Sequence, residues 1–312
     1  MATRNFLERP LKDENKWWTY LLVFVQSIFA ALLFTGIVAL IPLLLQLIFD
    51  RENVGDYHPG LLMGYLSFFL LLFWFFAGLY TGILLNRTLA ETINGTKSVR
   101  WGRILFAFAV AFVWMAIDWG IDYFWHPDKY VFNADWHLWS ALSLVLFGVL
   151  LLTTVVLLLY GYLTQEIGAR THSRQWAWIV PAIIFTLIIQ SSDFGEPDFW
   201  LSTGETLTLF LLLGLIAILD DGIELAIGFI VGYGLFSLLF TISMFESPES
   251  LPESQMNSLF ITNATEEPLR DLISVVVGGL IAFFIFYKKY RWDFKIMNER
   301  VERLPDDAPF RT

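Results

Sequence analysis

The chain has 312 residues, 56% hydrophobic, 17% aromatic and only 16% charged, with a mean hydropathy of +0.60. That composition excludes an ordinary soluble domain of this length. A net charge of −10 argues against nucleic-acid binding, and the absence of cysteine removes disulfides and thiolate metal sites.

The first sixteen residues are polar and charged. The apolar run that follows, 19–49, is too long for a signal-peptide core and has no small-residue cleavage site, so it reads as a retained first transmembrane helix. Further runs able to cross about 30 Å of hydrocarbon lie at 61–85, 104–125, 138–163, 177–192, 206–219, 222–245 and 270–288. They predict an all-α, polytopic membrane helix bundle of about eight transmembrane helices. Residues 1–16 precede it, 17–290 form one transmembrane domain, and 291–312 form a basic tail.

Lysine and arginine accumulate in cytoplasmic loops near a membrane. The N-terminus carries Arg4, Arg9, Lys12 and Lys16; the second loop Arg87, Lys97, Arg100 and Arg103; the fourth Arg170 and Arg174. The tail adds Lys288, Lys289, Arg291, Lys295, Arg300, Arg303 and Arg311, whereas the opposite face has only Arg51, Lys129 and Arg270. Both termini are therefore expected in the cytoplasm, with the protein in the plasma membrane.

The outer loops are acidic, with Asp193, Glu196, Asp198 and Glu205 in one and Glu246, Glu249, Glu253, Glu266 and Glu267 in another. The longest, about 246–269, is rich in Ser, Pro and Glu and reads as a flexible loop or a lid. Trp residues, among them Trp18, Trp101 and Trp292 on the inner side and Trp119 and Trp125 on the outer, fall where interfacial belts form. Gly228 and Gly232 have the small-xxx-small spacing of closely packed helices.

Three acids interrupt this apolar pattern in ILDDGIELAIGFIVGYG, residues 218–234, where a charge at mid-bilayer would cost about 3 kcal/mol or more. By the predicted topology Asp220 and Asp221 sit at an inner turn and can cap the seventh helix. Glu224 either completes that capping or points into a polar cavity. Asp118 and Asp122 share a helical face at i, i+4 and read as a solvated interfacial pair or as a proton-sharing dyad. His58, His126, His137 and His172 have no metal-ligand spacing, and neither a metal nor a cofactor is expected.

The run DDGIELAIG resembles the third motif of the CPBP family of intramembrane proteases, prokaryotic and other proteins that include CAAX prenyl proteases and Abi proteins. In that family a Gly-Leu-Glu-Leu-Ala-type stretch leads into a His-x-x-Asn motif, whose places here hold Ile230 and Tyr233. TTVVLLLYGYLTQ, residues 153–165, resembles the first motif, two glutamates, three residues and an arginine. Gly161, Tyr162, Leu163 and Gln165 keep the frame, while Val155 and Val156 stand at the glutamate places and Tyr160 at the arginine place. SDFGEPDF, residues 192–199, resembles the second-motif stretch, with Asp193 at the histidine place; a shift of one helical turn puts Ile189 there instead. PLKDENKWWTYLL and IAFFIFYKKYRW resemble the first and last helices of some members.

The resemblance implies eight helices and, in active members, a glutamate pair that activates water while histidines and an asparagine orient it or hold the oxyanion. Valine does neither. The chain is therefore expected to be a catalytically inactive relative, a binding or scaffold subunit whose partners are the bilayer and a membrane protein or peptide. Two alternatives stay open: an intramembrane endopeptidase with a relocated carboxylate site using Asp193, Glu224, Glu166 or Asp118, and a transporter or channel component.

Overall fold

A computed structural model describes residues 6–12, 17–49, 59–96, 98–132, 138–243, 260–262 and 268–302. Eight helices dominate it: α1 Trp17–Phe49, α2 Pro59–Leu85, α3 Trp101–Trp125, α4 Leu138–Val156, α5 Arg174–Ile189, α6 Phe199–Asp220, α7 Glu224–Phe240 and α8 Pro268–Tyr290. Seven are long and apolar enough to span a bilayer, and α7, at 17 residues, is shorter. The protein is thus an all-α, multi-pass membrane bundle. The expected outer lid at about 246–269 lies almost wholly outside the described residues.

Helix α7 sits at the centre because its sequence is apolar on every side, the pattern of a helix enclosed by protein. All residues from Glu224 to Gly232 are buried. It packs against α3, α4 and α6; α2 joins α1 to α4, α5 lies on α6, and α8 covers α6 and touches α3. The close α3–α7 approach depends on the two glycines singled out above. A Cβ at Gly228 would strike the Ile104 carbonyl oxygen and come 2.9 Å from Ala107 Cβ, and one at Gly232 would strike the Phe108 carbonyl oxygen and come 3.1 Å from Ala111 Cβ.

Helix α4 runs on without a break through a π-helical stretch, Leu157–Leu163, into a helix at Thr164–Thr171. The short helix Leu89–Asn94 lies between α2 and α3, closed by a capping box of Thr88 and Glu91 and by Gly95 in the left-handed region. At the other end of the bundle, β1 (Tyr130–Phe132), β2 (Thr241–Ser243) and β3 (Phe260–Thr262) form a small patch, with β3 antiparallel to β1 and parallel to β2.

The flanking segments fold onto the bundle. Phe6 and Leu7 are each 1% exposed, and Leu7 packs on Gly168. At the C-terminal end Trp292, Ile296 and Val301 are buried, and Val301 donates its N–H to the His172 carbonyl at 3.2 Å while its own carbonyl accepts from His172 Nδ1 at 2.9 Å. Trp292 therefore departs from the belt position its sequence suggests.

A backbone carbonyl cannot rotate away from an added methyl, so Gly232→Ala must push α7 off α3. We expect a loss of about 1–3 kcal/mol, the usual cost of overpacking, seen as a lower melting temperature of the detergent-solubilised protein. Gly36→Ala, where nothing lies within 4 Å, should melt like the unsubstituted chain.

Candidate functional site

The three acids of the 218–234 stretch converge on one buried ionic cluster. Helix α6 ends at Asp220, and Asp221 closes it with φ of 54°, its N–H reaching back to the Ala217 and Ile218 carbonyls. Gly222 then turns the chain into α7, and Ile223 N–H binds the Ile93 carbonyl at 2.9 Å. The expectation that both aspartates cap α7 is corrected here: Asp220 and Asp221 terminate α6. Asp221 Oδ1 accepts the Phe6 N–H at 3.3 Å, and Asp220 Oδ1 accepts Trp292 Nε1 at 3.4 Å.

Glu224 is wholly buried. Arg100 holds it in fork fashion, Nε to Oε1 at 2.9 Å and Nη2 to Oε2 at 2.6 Å, and adds its backbone N–H at 3.2 Å. The Asn94 amide also donates to Oε1. The same guanidinium lies 3.3 Å from Asp220 Oδ2 and donates to the Asp220 and Asp221 carbonyls at 3.1 and 3.3 Å. Arg103 pairs with Asp220 Oδ1 and stacks over the Tyr290 ring at 4.7 Å. Burial alone would lower the Arg100 pKa, but the hydrogen bonds and charge of Glu224 hold it above its ordinary value. Both cations are fixed and Glu224 is saturated, so the cluster serves as a clasp. Gly222 is required beside it, because a Cβ there would collide with Arg100 Nη2 and lie 2.6 Å from Glu224 Oε2.

The family-motif places lie elsewhere. Val156, Tyr160 and Ile230 are buried in the main hydrophobic core, and Val155 and Tyr233 are partly buried against it. Tyr160 donates its hydroxyl to the Phe210 carbonyl. Residues that keep the motif frame make structural bonds: Tyr162 and Thr81 share a hydroxyl hydrogen bond at 2.8 Å, and Gln165 donates to the Thr92 carbonyl at 2.9 Å while accepting from Arg87 at 3.2 Å. Asp193 is exposed in the α5–α6 turn, where Ser192 donates to it at 2.9 Å, and Ile189 is 43% exposed at the end of α5.

The four candidate replacement acids do not share a partner. Glu224 binds Arg100, Glu166 binds Arg170, Asp118 meets Arg270 at 3.4 Å, and Asp193 binds Ser192. Asp193 and Glu224 flank opposite ends of α6, whose 22 residues span about 33 Å. Asp118 and Asp122 are neither a proton-sharing dyad nor a solvated pair, a second correction. Arg270 stands between them, 3.2 Å from Asp122, and Asp122 is buried, accepting from the Tyr130 hydroxyl and lying 3.0 Å from His126 Nδ1. The α3–α8 contact carries Arg270 to this face, a pairing that sequence spacing does not reveal.

The sequence also gave no sign of a buried pair between Glu8 and Arg174, which ties the N-terminal segment to the start of α5. Burial, opposed by Arg174 and reinforced by Asp221, raises the Glu8 pKa to about 7. Among the described residues no group of three or more metal-binding side chains forms. Comparison of the chain with protein-family models, curated proteins and solved structures gives no match.

Two outcomes are expected. Glu224→Ala leaves Arg100 without its main partner and should cost about 3–5 kcal/mol, whereas joint replacement by Arg100→Met and Glu224→Leu should recover most of that loss in melting experiments. Because the folded Glu8 pKa lies above its unfolded value, the stability it contributes is complete below about pH 4.5 and declines as pH rises through about 7. Amides of residues 6–12, corrected for intrinsic rates, should thus exchange faster at pH 8 than at pH 5, and Glu8→Gln should flatten the difference.

Proposed function

We propose that the protein is a non-catalytic subunit of the plasma membrane, a binding or scaffold component built on a CPBP-like bundle with both termini cytoplasmic. One observation carries this reading: of the six places where the family keeps catalytic polar groups, five, Val155, Val156, Tyr160, Ile230 and Tyr233, belong to or pack on the apolar core, and the sixth, Asp193, is exposed in the α5–α6 turn. Proton transfer from an attacking water needs an acceptor within hydrogen-bond reach, and the aliphatic side chains of Val155, Val156 and Ile230 supply none. The partner on this reading is a membrane protein or peptide.

One observation favours the alternative of a relocated endopeptidase site. Tyr233 hydrogen-bonds Glu205, with the charges of Asp118 and Asp271 acting on it, so a carboxylate-rich group stands at the end of the bundle away from the clasp. The two readings separate by assay. Purified protein in lipid nanodiscs, offered prenylated and unprenylated quenched-fluorescent peptides, should cleave none above the rate of empty nanodiscs. Turnover that disappears in Glu205→Gln or Asp118→Asn would establish the relocated site and overturn the proposal. Val156→Glu, at a fully buried position, should destabilise the bundle by several kcal/mol without creating activity.

A further inference from the structure

The end of α8 carries a charged surface that the clasp does not use. The exposed apolar residues Ile273, Val277, Leu280, Ile281 and Phe284 form one lipid-facing stripe along α8. Lys288 follows one turn beyond Phe284, with its ammonium 5.3 Å from that ring's centre. Helix α3 contributes a neighbouring stripe through Trp101, Leu105, Val113 and Ile117. The two helices meet where Phe106 packs on Phe286 and Tyr290, at ring separations of 6.0 and 6.2 Å. Lys289 closes this junction, its ammonium 3.2 Å from the centre of the Phe106 ring.

The charges here do not cancel. Arg100 and Arg103 are committed to Glu224 and Asp220, but Lys288, Lys289, Arg291 and Lys295 are all exposed and have no ion pair among the described residues. The nearby Asp293 carboxylate accepts the Lys295 backbone N–H at 3.0 Å, capping the short helix Phe294–Asn298.

We propose that the α3–α8 junction seats the headgroup of an anionic phospholipid, its acyl chains on the two apolar stripes and its phosphate between Lys288 and Lys289. Charge complementarity selects the occupant. A cation at a membrane surface attracts anionic lipid, the stripes supply the hydrocarbon contact, and a zwitterionic lipid brings its own cation against two ammonium groups. Arg291 and Lys295 add to the same attraction at longer range. The proposal is independent of catalysis and of the orientation of the chain, since it concerns whichever leaflet meets the C-terminal end of α8.

The test uses the full chain in nanodiscs of mixed phosphatidylglycerol and phosphatidylcholine, with retained lipid counted by native mass spectrometry after transfer to detergent. Neutralising one such cation should weaken anionic retention about fivefold, and the pair Lys288→Gln, Lys289→Gln about 30-fold. Lys288→Arg with Lys289→Arg should retain lipid as the unsubstituted chain does. Arg170→Gln, which removes a cation paired with Glu166, should change retention by less than about twofold. An unchanged lipid ratio in the double glutamine variant overturns the proposal, as does an equal loss in Arg170→Gln. Displacement of the lipid by inorganic phosphate as effectively as by soluble phosphatidylglycerol overturns it in favour of a free-phosphate site. If the double variant melts below the assay temperature, Lys288→Gln alone decides by its fivefold effect.

Discussion

One guanidinium governs how this bundle closes at the clasp end. Arg100, one residue before α3, grips Glu224 at the start of α7 and approaches Asp220 at the end of α6. Through the same acids the cluster reaches Asn94 in the α2–α3 connection and Trp292 beyond α8, and through Asp221 it reaches Phe6 near the N-terminus. Four stretches distant in sequence, around residues 6, 94–103, 220–224 and 292, are thus referred to one charge group. Carboxylates in an apolar surrounding are costly unless paired and hydrogen-bonded, so each partner that saturates them also fixes a piece of backbone. The fork geometry of arginine suits this role; lysine would bind as a point charge and leave register undefined.

The clasp and the glycines of α7 depend on each other. Gly228 and Gly232 bring α7 against the α3 backbone, and α3 begins at Trp101, the residue after Arg100. A wider α3–α7 spacing would draw the guanidinium from Glu224, and a weaker grip would remove the tether that holds the glycine face in register. Gly222 serves the same closure, since a side chain there would occupy the space of the ion pair.

All eight helical runs were legible in the sequence, because spanning length and hydropathy are properties of single segments. The errors lie where a segment's neighbours decide. Helix α6 begins at Phe199, earlier than its apolar run, because Ser202, Thr203 and Glu205 give its first turns a polar look although Gln190 binds Ser202 at 3.2 Å and Thr206 at 2.8 Å. The Asp-Asp-Gly turn looks like a helix start, but the left-handed φ of Asp221 makes it a stop. Arg100 and Arg103 were visible only as contributors to charge asymmetry. Three acids at one turn call for cationic partners at the same membrane depth. Nothing local could announce Glu8–Arg174 or Asp122–Arg270, since both pairs are made by helix packing across long sequence separations.

The frame-keeping positions place a constraint on what such a bundle can do. Tyr162 and Gln165 lie in or just beyond the π-helical stretch and bind Thr81 and the Thr92 carbonyl, so they lock the end of α2 to α4. These bonds are needed by the architecture whether or not a reaction occurs beside them. Val155 and Val156 lie among core-packed side chains, where an aliphatic group adds contacts and an ionised one would need a partner. The charged groups thus gather at the two ends of the bundle, and the side chains packed around Val155 and Val156 between them are apolar.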